Sequence, residues 1–277
     1  MTNCKYMVIG NPAAHSLSPI MQNAAFEFYD EGATYGVREL TLEELPAFVE
    51  YAKASLSGFN VTAPYKKEIM QYCSVINEEA EAAESVNTVK IIAGKLYGYT
   101  TDGHGLLRAL ESDLDMDVYE RKVAILGAGG AAGAIAQTLQ GEGAKEIIII
   151  NRTLESAVAL AAKVEGRAVA LGDVDGVDAA LESADLVINC TSLGLKKGDP
   201  SPLDRERLSH VKALFDTIYV PTELQRLARE LGIPCAGGRA MLLFQGAQAF
   251  EIWTGHVAPI IKMQMALYAA IKELSDE

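Results

Sequence analysis

The stretch KVAILGAGGAAGA, residues 122–134, decides how the chain is organised. The run Val123–Leu126 lacks the polar alternation of a half-exposed strand, so it reads as a strand buried on both faces. Behind it come Gly127, Gly129 and Ala132 in the spacing G-x-G-x-x-A, and then AAGAIAQTLQ with helical character. Each small residue has a physical reason. Gly127 permits a tight turn, Gly129 lets the backbone approach a pyrophosphate, and Ala132 lets the helix pack closely on the strand. The helix N-terminus offers N–H donors and a partial positive charge to the phosphates. Strand, glycine turn and helix in this order predict a Rossmann-like dinucleotide unit, against the plainer reading of a structural glycine turn.

Working outward toward the C-terminus, EIIIIN, RAVAL, ADLVINC and VKALFD read as further strands separated by helical segments such as LESAVALAAKV. Strands alternating with helices argue for a parallel sheet with right-handed crossovers. The strand EIIIIN ends in Asn151, Arg152 and Thr153, where NAD-binding folds commonly place an acidic residue for the ribose diol. Asn and Thr can donate to a 2′-phosphate, and Arg152 can pair with it or stack on adenine, which favours NADP. A solvated surface arginine is the competing reading of Arg152.

Toward the N-terminus the apolar runs YMVIG, TYGVREL and GFNVT alternate with helical-period segments PIMQNAAFEFYD, LEELPAFVEYAKA and YKKEIMQYC, a second α/β unit. DGHGLLRALESD reads as a connecting helix. After Gly238 two apolar helices, MLLFQGAQAFEIW and PIIKMQMALYAAIKEL, follow without another strand. They need a surface to cover, and the first unit supplies one. The expected fold is therefore two-domain α/β. Residues 1–104 and 239–277 form one domain, 105–238 form the NADP-binding domain, and a cleft lies between them.

The 277 residues carry a formal net charge of -13, with 49% hydrophobic and 22% charged residues. An acidic chain of this kind argues against nucleic acid or an anionic membrane as partner, so any anionic ligand must be held by local donors. Cys4, Cys73, Cys190 and Cys235 are widely spaced with no C-x-x-C pair, which indicates neither a zinc site nor a disulfide framework; a reducing cytoplasm fits best. The N-terminus reads straight into YMVIG without a signal-peptide pattern, and no stretch reaches the roughly 18–20 apolar residues of a membrane span. No metal is expected. His15 and His104 stand isolated in sequence and are not expected to act in catalysis.

Four polar clusters interrupt the apolar pattern of the first unit. In HSLSP, Ser18 before Pro19 matches a helix N-cap followed by proline, yet Ser16 and Ser18 together also make a carboxylate seat. GFNVTAPYKKE, residues 58–68, presents Asn60 and Thr62 at the end of a strand and then Lys66 and Lys67. SVNTV holds Asn87 and Thr88. TTDGHG brings Asp102 into a helix start, where it could equally be an ordinary N-cap. Taken singly, each cluster reads more readily as structural. Together they supply hydroxyl, amide, ammonium and carboxylate groups, as a small polyhydroxylated carboxylic acid requires, and a lysine with a carboxylate can handle the proton of an alcohol oxidation.

With these residues in view, the chain resembles the shikimate 5-dehydrogenase family. The resemblance rests on HSLSP (15–19), NVTAPYK (60–66), VNT (86–88), TDG (101–103), GAGGAA (127–132), NRT (151–153), and MLLFQ followed by FEIWTG near the end. It implies reversible, NADP-dependent reduction of 3-dehydroshikimate to shikimate, a small-molecule substrate. It further implies that Ser16 and Ser18 bind the substrate carboxylate with Tyr219 nearby, that Asn60, Thr62, Asn87 and Gln245 hold the ring hydroxyls, and that Lys66 and Asp102 are the catalytic pair. On the cofactor side, it implies that Gly127, Gly129, Gly130 and Ala131 face the pyrophosphate, Asn151, Arg152 and Thr153 the 2′-phosphate, and Thr191 and Gly238 the nicotinamide.

Lys67 matches no motif position and reads as a solvated charge. Three positions depart from the family pattern: Ser156 where a second basic residue is common, Ala240 where glycine is common, and Gln22 where histidine is frequent. Ser156 keeps a quinate/shikimate dehydrogenase with NAD or mixed cofactor use as the alternative. A catalytically silent NADP-binding regulator is a second rival, which retention of Lys66 and Asp102 argues against. The oligomeric state is left open, a homodimer included.

Overall fold

The computed structural model describes residues 3–30, 32–196 and 198–276. The chain forms two compact units, one built from residues up to Gly105 together with Leu242 onward, the other from Leu106–Met241.

The first unit runs β1 (Asn3–Gly10), α1 (Ser18–Phe28), β2 (Ala33–Glu39), α2 (Leu45–Ser55), β3 (Gly58–Val61), a 3-10 turn (Glu68–Tyr72), β4 (Val75–Ile76), α3 (Glu78–Ala83), β5 (Thr88–Ile92) and β6 (Lys95–Tyr99). Its sheet has the order β2-β1-β3-β5-β6-β4. β1 is parallel to β2 and β3, whereas β5 is antiparallel to β3 and β6, so the sheet is mixed. Phe48, Phe59, Ile69 and Leu96 are fully buried in one core cluster on this sheet. Full burial of a side chain such as Phe59 contributes roughly 1.5–3 kcal/mol relative to exposure.

The chain continues through α4 (Asp102–Leu114), β7 (Lys122–Leu126), α5 (Gly130–Gly141), β8 (Glu146–Asn151), α6 (Leu154–Lys163), β9 (Arg167–Ala170), α7 (Val174–Ser183), β10 (Leu186–Asn189), α8 (Arg205–Leu208), β11 (Leu214–Asp216), α9 (Glu223–Glu230) and β12 (Cys235–Gly237). The sheet of the second unit is parallel throughout, in the order β12-β11-β10-β7-β8-β9. The chain winds from β7 outward to β9, then crosses back to β10. The switch between β7 and β10 is where such sheets open a crevice at their carboxyl ends. All four residues of β10 are buried, as are the last four of β7, as the unbroken apolar runs require.

Two helices close the chain, α10 (Arg239–Thr254) and α11 (Ile260–Asp276). They return to the first sheet. Trp253 Nε1 donates to Val89 O at 2.9 Å, Lys90 Nζ to Ile252 O at 2.6 Å, and Gln22 Nε2 to Gly246 O at 2.8 Å. Gly58 is required here, because a Cβ would lie 2.4 Å from Trp253 Nε1 and 2.7 Å from Val89 O.

Three local expectations are corrected. YKKEIMQYC is helical only as the short 3-10 turn, since Cys73 is already extended on the way into β4. Lys66 therefore sits in a turn, not in a helix. Ser18 is not an N-cap: it is the first residue of α1, Leu17 occupies the cap position, and no side chain caps the helix. The hydroxyl of Ser18 is thereby left for other partners. The strands β4, β5, β6 and β12 were not foreseen.

Candidate active site

In the first unit one hydrogen-bonded chain joins most of the polar clusters. It begins at the buried phenol of Tyr35, on β2. Burial pushes the Tyr35 phenol well above its ordinary range, with the nearby Ser18 side chain acting in the opposite direction, so Tyr35 is a neutral donor. Its O–H donates to Asn60 Oδ1 at 2.7 Å. Asn60, carried at the end of β3, donates through Nδ2 to Asn87 O and to Thr88 Oγ1, each at 3.0 Å. Thr88 Oγ1 donates to Asn87 Oδ1 at 2.9 Å. Asn87 Nδ2 then donates to Thr101 Oγ1 at 2.9 Å and to Asp102 Oδ1 at 2.8 Å.

The chain ends in an ion pair. Asp102 Oδ2 lies 2.5 Å from Lys66 Nζ, with side chains 8% and 17% exposed. This short, charge-assisted contact in a mostly dry setting fixes both groups. The Asp102 carboxylate is thus occupied by Lys66 and Asn87 rather than by capping α4. Lys67, one residue on, points away: it is exposed and pairs with Glu84 at 2.6 Å. The basic doublet divides into an inward and an outward lysine.

Asn60 and Asn87 use both of their amide N–H groups on protein acceptors. What they supply is alignment of Thr88, Thr101 and Asp102. Thr101 reaches further, with Oγ1 3.5 Å from Oε1 of Gln245, whose Nε2 donates to Leu242 O at 2.9 Å. Ser16 Oγ accepts from the N–H of Ser18 at 3.3 Å. Thr62 is half-buried, with its methyl over Gly10, where a Cβ would come within 2.2 Å of it. Tyr35 and Thr101 were not singled out from sequence. The signal for Tyr35 was a buried aromatic in a strand, whose hydroxyl must find a partner.

In the second unit the glycine turn has the geometry that phosphate binding needs. Gly127 has φ 106°, in the left-handed region, and a Cβ there would approach Cys190 O to 3.2 Å. Gly129 is the N-cap of α5, with no side chain bonding the helix start, and a Cβ on it would meet nothing within 4 Å. Gly129 and Gly130 are exposed, and the N-cap offers no side-chain acceptor to the first N–H groups of α5, which include those of Gly130 and Ala131, so the turn fits an anionic pyrophosphate. At the end of β8, Asn151 Nδ2 donates to Thr153 O at 3.0 Å, and Arg152 and Thr153 are exposed. No acidic side chain among the described residues pairs with Arg152.

The remaining expected residues line the ends of neighbouring strands. Thr191 follows β10, its N–H and Oγ1 bonding Asn189 Oδ1 at 3.0 and 2.7 Å. Gly238 follows β12 and packs so tightly that a Cβ would fall 2.0 Å from Thr217 O. Tyr219 follows β11, and burial raises its phenol. Among the described residues no group of three His, Cys, Asp or Glu side chains could hold a metal ion, and no helix is long and apolar enough to cross a membrane.

Comparison with known proteins gives the same motifs a context. Residues 8–89 match the family model of the shikimate dehydrogenase substrate binding domain, residues 109–223 that of shikimate / quinate 5-dehydrogenase, and residues 238–268 that of the shikimate 5'-dehydrogenase C-terminal domain. Shikimate dehydrogenase (NADP(+)) of Methanopyrus kandleri is 38% identical over 271 residues, covering 94% of this chain and 93% of that protein. Among solved structures, shikimate dehydrogenase of Aquifex aeolicus superposes with a TM-score of 0.88 at 37% identity, covering 95% of this chain and 96% of that one. The Thermus thermophilus enzyme, solved in complex with NADP(H) and shikimate, also has a TM-score of 0.88, at 33% identity, covering 96% of this chain and 99% of that one. With three consecutive family segments matched and near-complete coverage in both directions, the chain belongs to the shikimate dehydrogenase family.

Proposed function

We propose that the protein catalyses the reversible, NADP-dependent reduction of 3-dehydroshikimate to shikimate, a step in aromatic amino acid biosynthesis in the cytoplasm. The observation that carries this reading is the Lys66–Asp102 pair at 2.5 Å, held from behind by Asn87. NADPH, when bound, supplies the hydride that reaches the ring ketone carbon. Lys66 Nζ gives a proton to the oxygen as its negative charge develops, and takes one from the hydroxyl in the oxidative direction. Asp102 holds the ammonium in place, so little reorganisation is required during the transfer. Ser16 and Ser18 present hydroxyls to the substrate carboxylate, while Thr62 and Gln245 present donors and acceptors to ring hydroxyls.

The first N–H groups of α5 hold the pyrophosphate, and Arg152 with Asn151 and Thr153 hold the 2′-phosphate. An exposed arginine that pairs with no acidic side chain among the described residues supports NADP over NAD, as do the relatives named as NADP(+) enzymes. Quinate use with NAD is therefore not favoured. Steady-state rates with shikimate and quinate, each paired with NADP+ and NAD+, test the reading. The highest kcat/KM is expected for shikimate with NADP+; a higher value for quinate or for NAD+ would overturn it.

A further inference from the structure

The second unit contains a buried carboxylate that none of the motifs includes. Asp216, the last residue of β11, is fully buried. It accepts four hydrogen bonds, Oδ1 from Asn189 Nδ2 (3.0 Å) and Ile218 N (3.2 Å), Oδ2 from Thr222 Oγ1 (2.6 Å) and Gln225 Nε2 (3.0 Å). None of these donors is charged. Arg229 reaches Gln225 Oε1 at 3.3 Å, so this cation is linked to Asp216 through the amide. A carboxylate taken out of water is expensive, and an apolar side chain would close a strand end at lower cost. The position of its donors suggests what the charge is for.

Every bond from Asp216 leads to a loop at the carboxyl edge of the parallel sheet. Asn189, which donates to it, holds both the N–H and the hydroxyl of Thr191. Ile218, whose N–H it accepts, passes its own carbonyl to Gly238 N at 3.0 Å. Gln225 Nε2 also meets the carbonyls of Ile218 and Val220, which flank Tyr219. The three loops after β10, β11 and β12 are thus tied to one anion. With the pyrophosphate on α5 and the adenosine end at β8, a dinucleotide crossing the switch between β7 and β10 directs its other half to these loops.

Resting on the NADP reading above, we infer that Asp216 is a positioning residue for the nicotinamide half of the cofactor: it fixes Thr191, the 217–220 turn and Gly238 without touching the cofactor itself. Loss of the anion should loosen the nicotinamide half and leave the adenosine half unchanged. Asp216→Asn and Gln225→Met are the informative variants, because the first keeps one acceptor oxygen but sets an amide N–H2 against donors, and the second removes one donor at nearly constant volume. For both, kcat/KM for NADP+ is expected to fall about tenfold or more, while the affinity for 2′,5′-ADP, a probe of the adenosine half alone, stays within about twofold of wild type. Unchanged kcat/KM in a folded variant would overturn the proposal. So would a parallel loss of 2′,5′-ADP binding, which marks a role in the stability of the whole unit. If Asp216→Asn does not fold, Gln225→Met decides. Failure of the wild-type protein to bind 2′,5′-ADP defeats the NADP reading itself, and the proposal with it.

Discussion

Lys66 and Lys67 are neighbours in the chain with unlike surroundings, and the pair isolates what a side chain does from what its charge does. Lys66 is mostly buried against Asp102, whereas Lys67 is 71% exposed against Glu84. Lys66→Ala is expected to lower kcat by roughly 100-fold or more with a much smaller change in KM, as loss of an acid–base group should. Lys67→Ala should leave kcat unchanged and shift stability by no more than about 1 kcal/mol, the range of an exposed ion pair. Steady-state kinetics and denaturant melts of the two variants separate these outcomes. At this scale the sequence was legible where polar residues stood at the ends of apolar runs. It could not reveal that Asn60 and Asn87 turn their amides inward, because that depends on β3 and β5 lying side by side, a pairing between residues far apart in the chain. Asp216 was hidden for a similar reason: in VKALFD it looks like any acidic residue ending a strand.

β7, β8, β10 and β11 were easy to read because both faces are covered, which leaves an unbroken apolar signature; the short β12 was not. The hairpin of β5 and β6 was not. It turns on Ala93 and Gly94, with φ 49° and 74°, and lacks the Asn-Gly or Asp-Gly pair that usually announces such a turn. A further detail of the parallel sheet is testable by pH. Asp185, just before β10, accepts from Lys122 N at the start of β7 and from Lys212 Nζ ahead of β11, each at 3.0 Å. The Lys122 N–H first, and Lys212 second, hold its carboxyl below the usual carboxylate range. A carboxyl depressed in the folded state adds stability above its unfolded pKa of about 3.9 and loses it as the pH falls through the folded value. The deficit of Asp185→Asn relative to wild type should therefore be largest near neutral pH and shrink below about pH 4. Thermal melts across that range measure it, and a deficit that persists unchanged at low pH would reject the assignment.

For the molecule as a whole, the decisive inference from sequence was that two apolar helices with no strand to follow must return to the first sheet. Hydrophobic economy made that legible; the contacts that specify it, Trp253 on Val89 O against Gly58, were not. The second unit is continuous in sequence and carries its own core of Ala124, Ile148, Val187 and Leu214. A fragment of residues 106–241 is accordingly expected to fold on its own and melt cooperatively, whereas residues 1–105 alone should not. Circular dichroism melts of the two fragments give the comparison; a cooperative transition in the shorter piece would contradict it. The same discontinuity bears on how the chain is made. The first sheet leaves the ribosome early, but the helices that cover it are translated only after all of residues 106–241 have been made. At ordinary elongation rates that interval is on the order of ten seconds, during which the later-coded unit can complete its fold while the earlier one waits with an apolar face uncovered. The unit coded second is therefore expected to complete its fold first, and the apolar face of the first sheet to stay uncovered until synthesis is nearly finished.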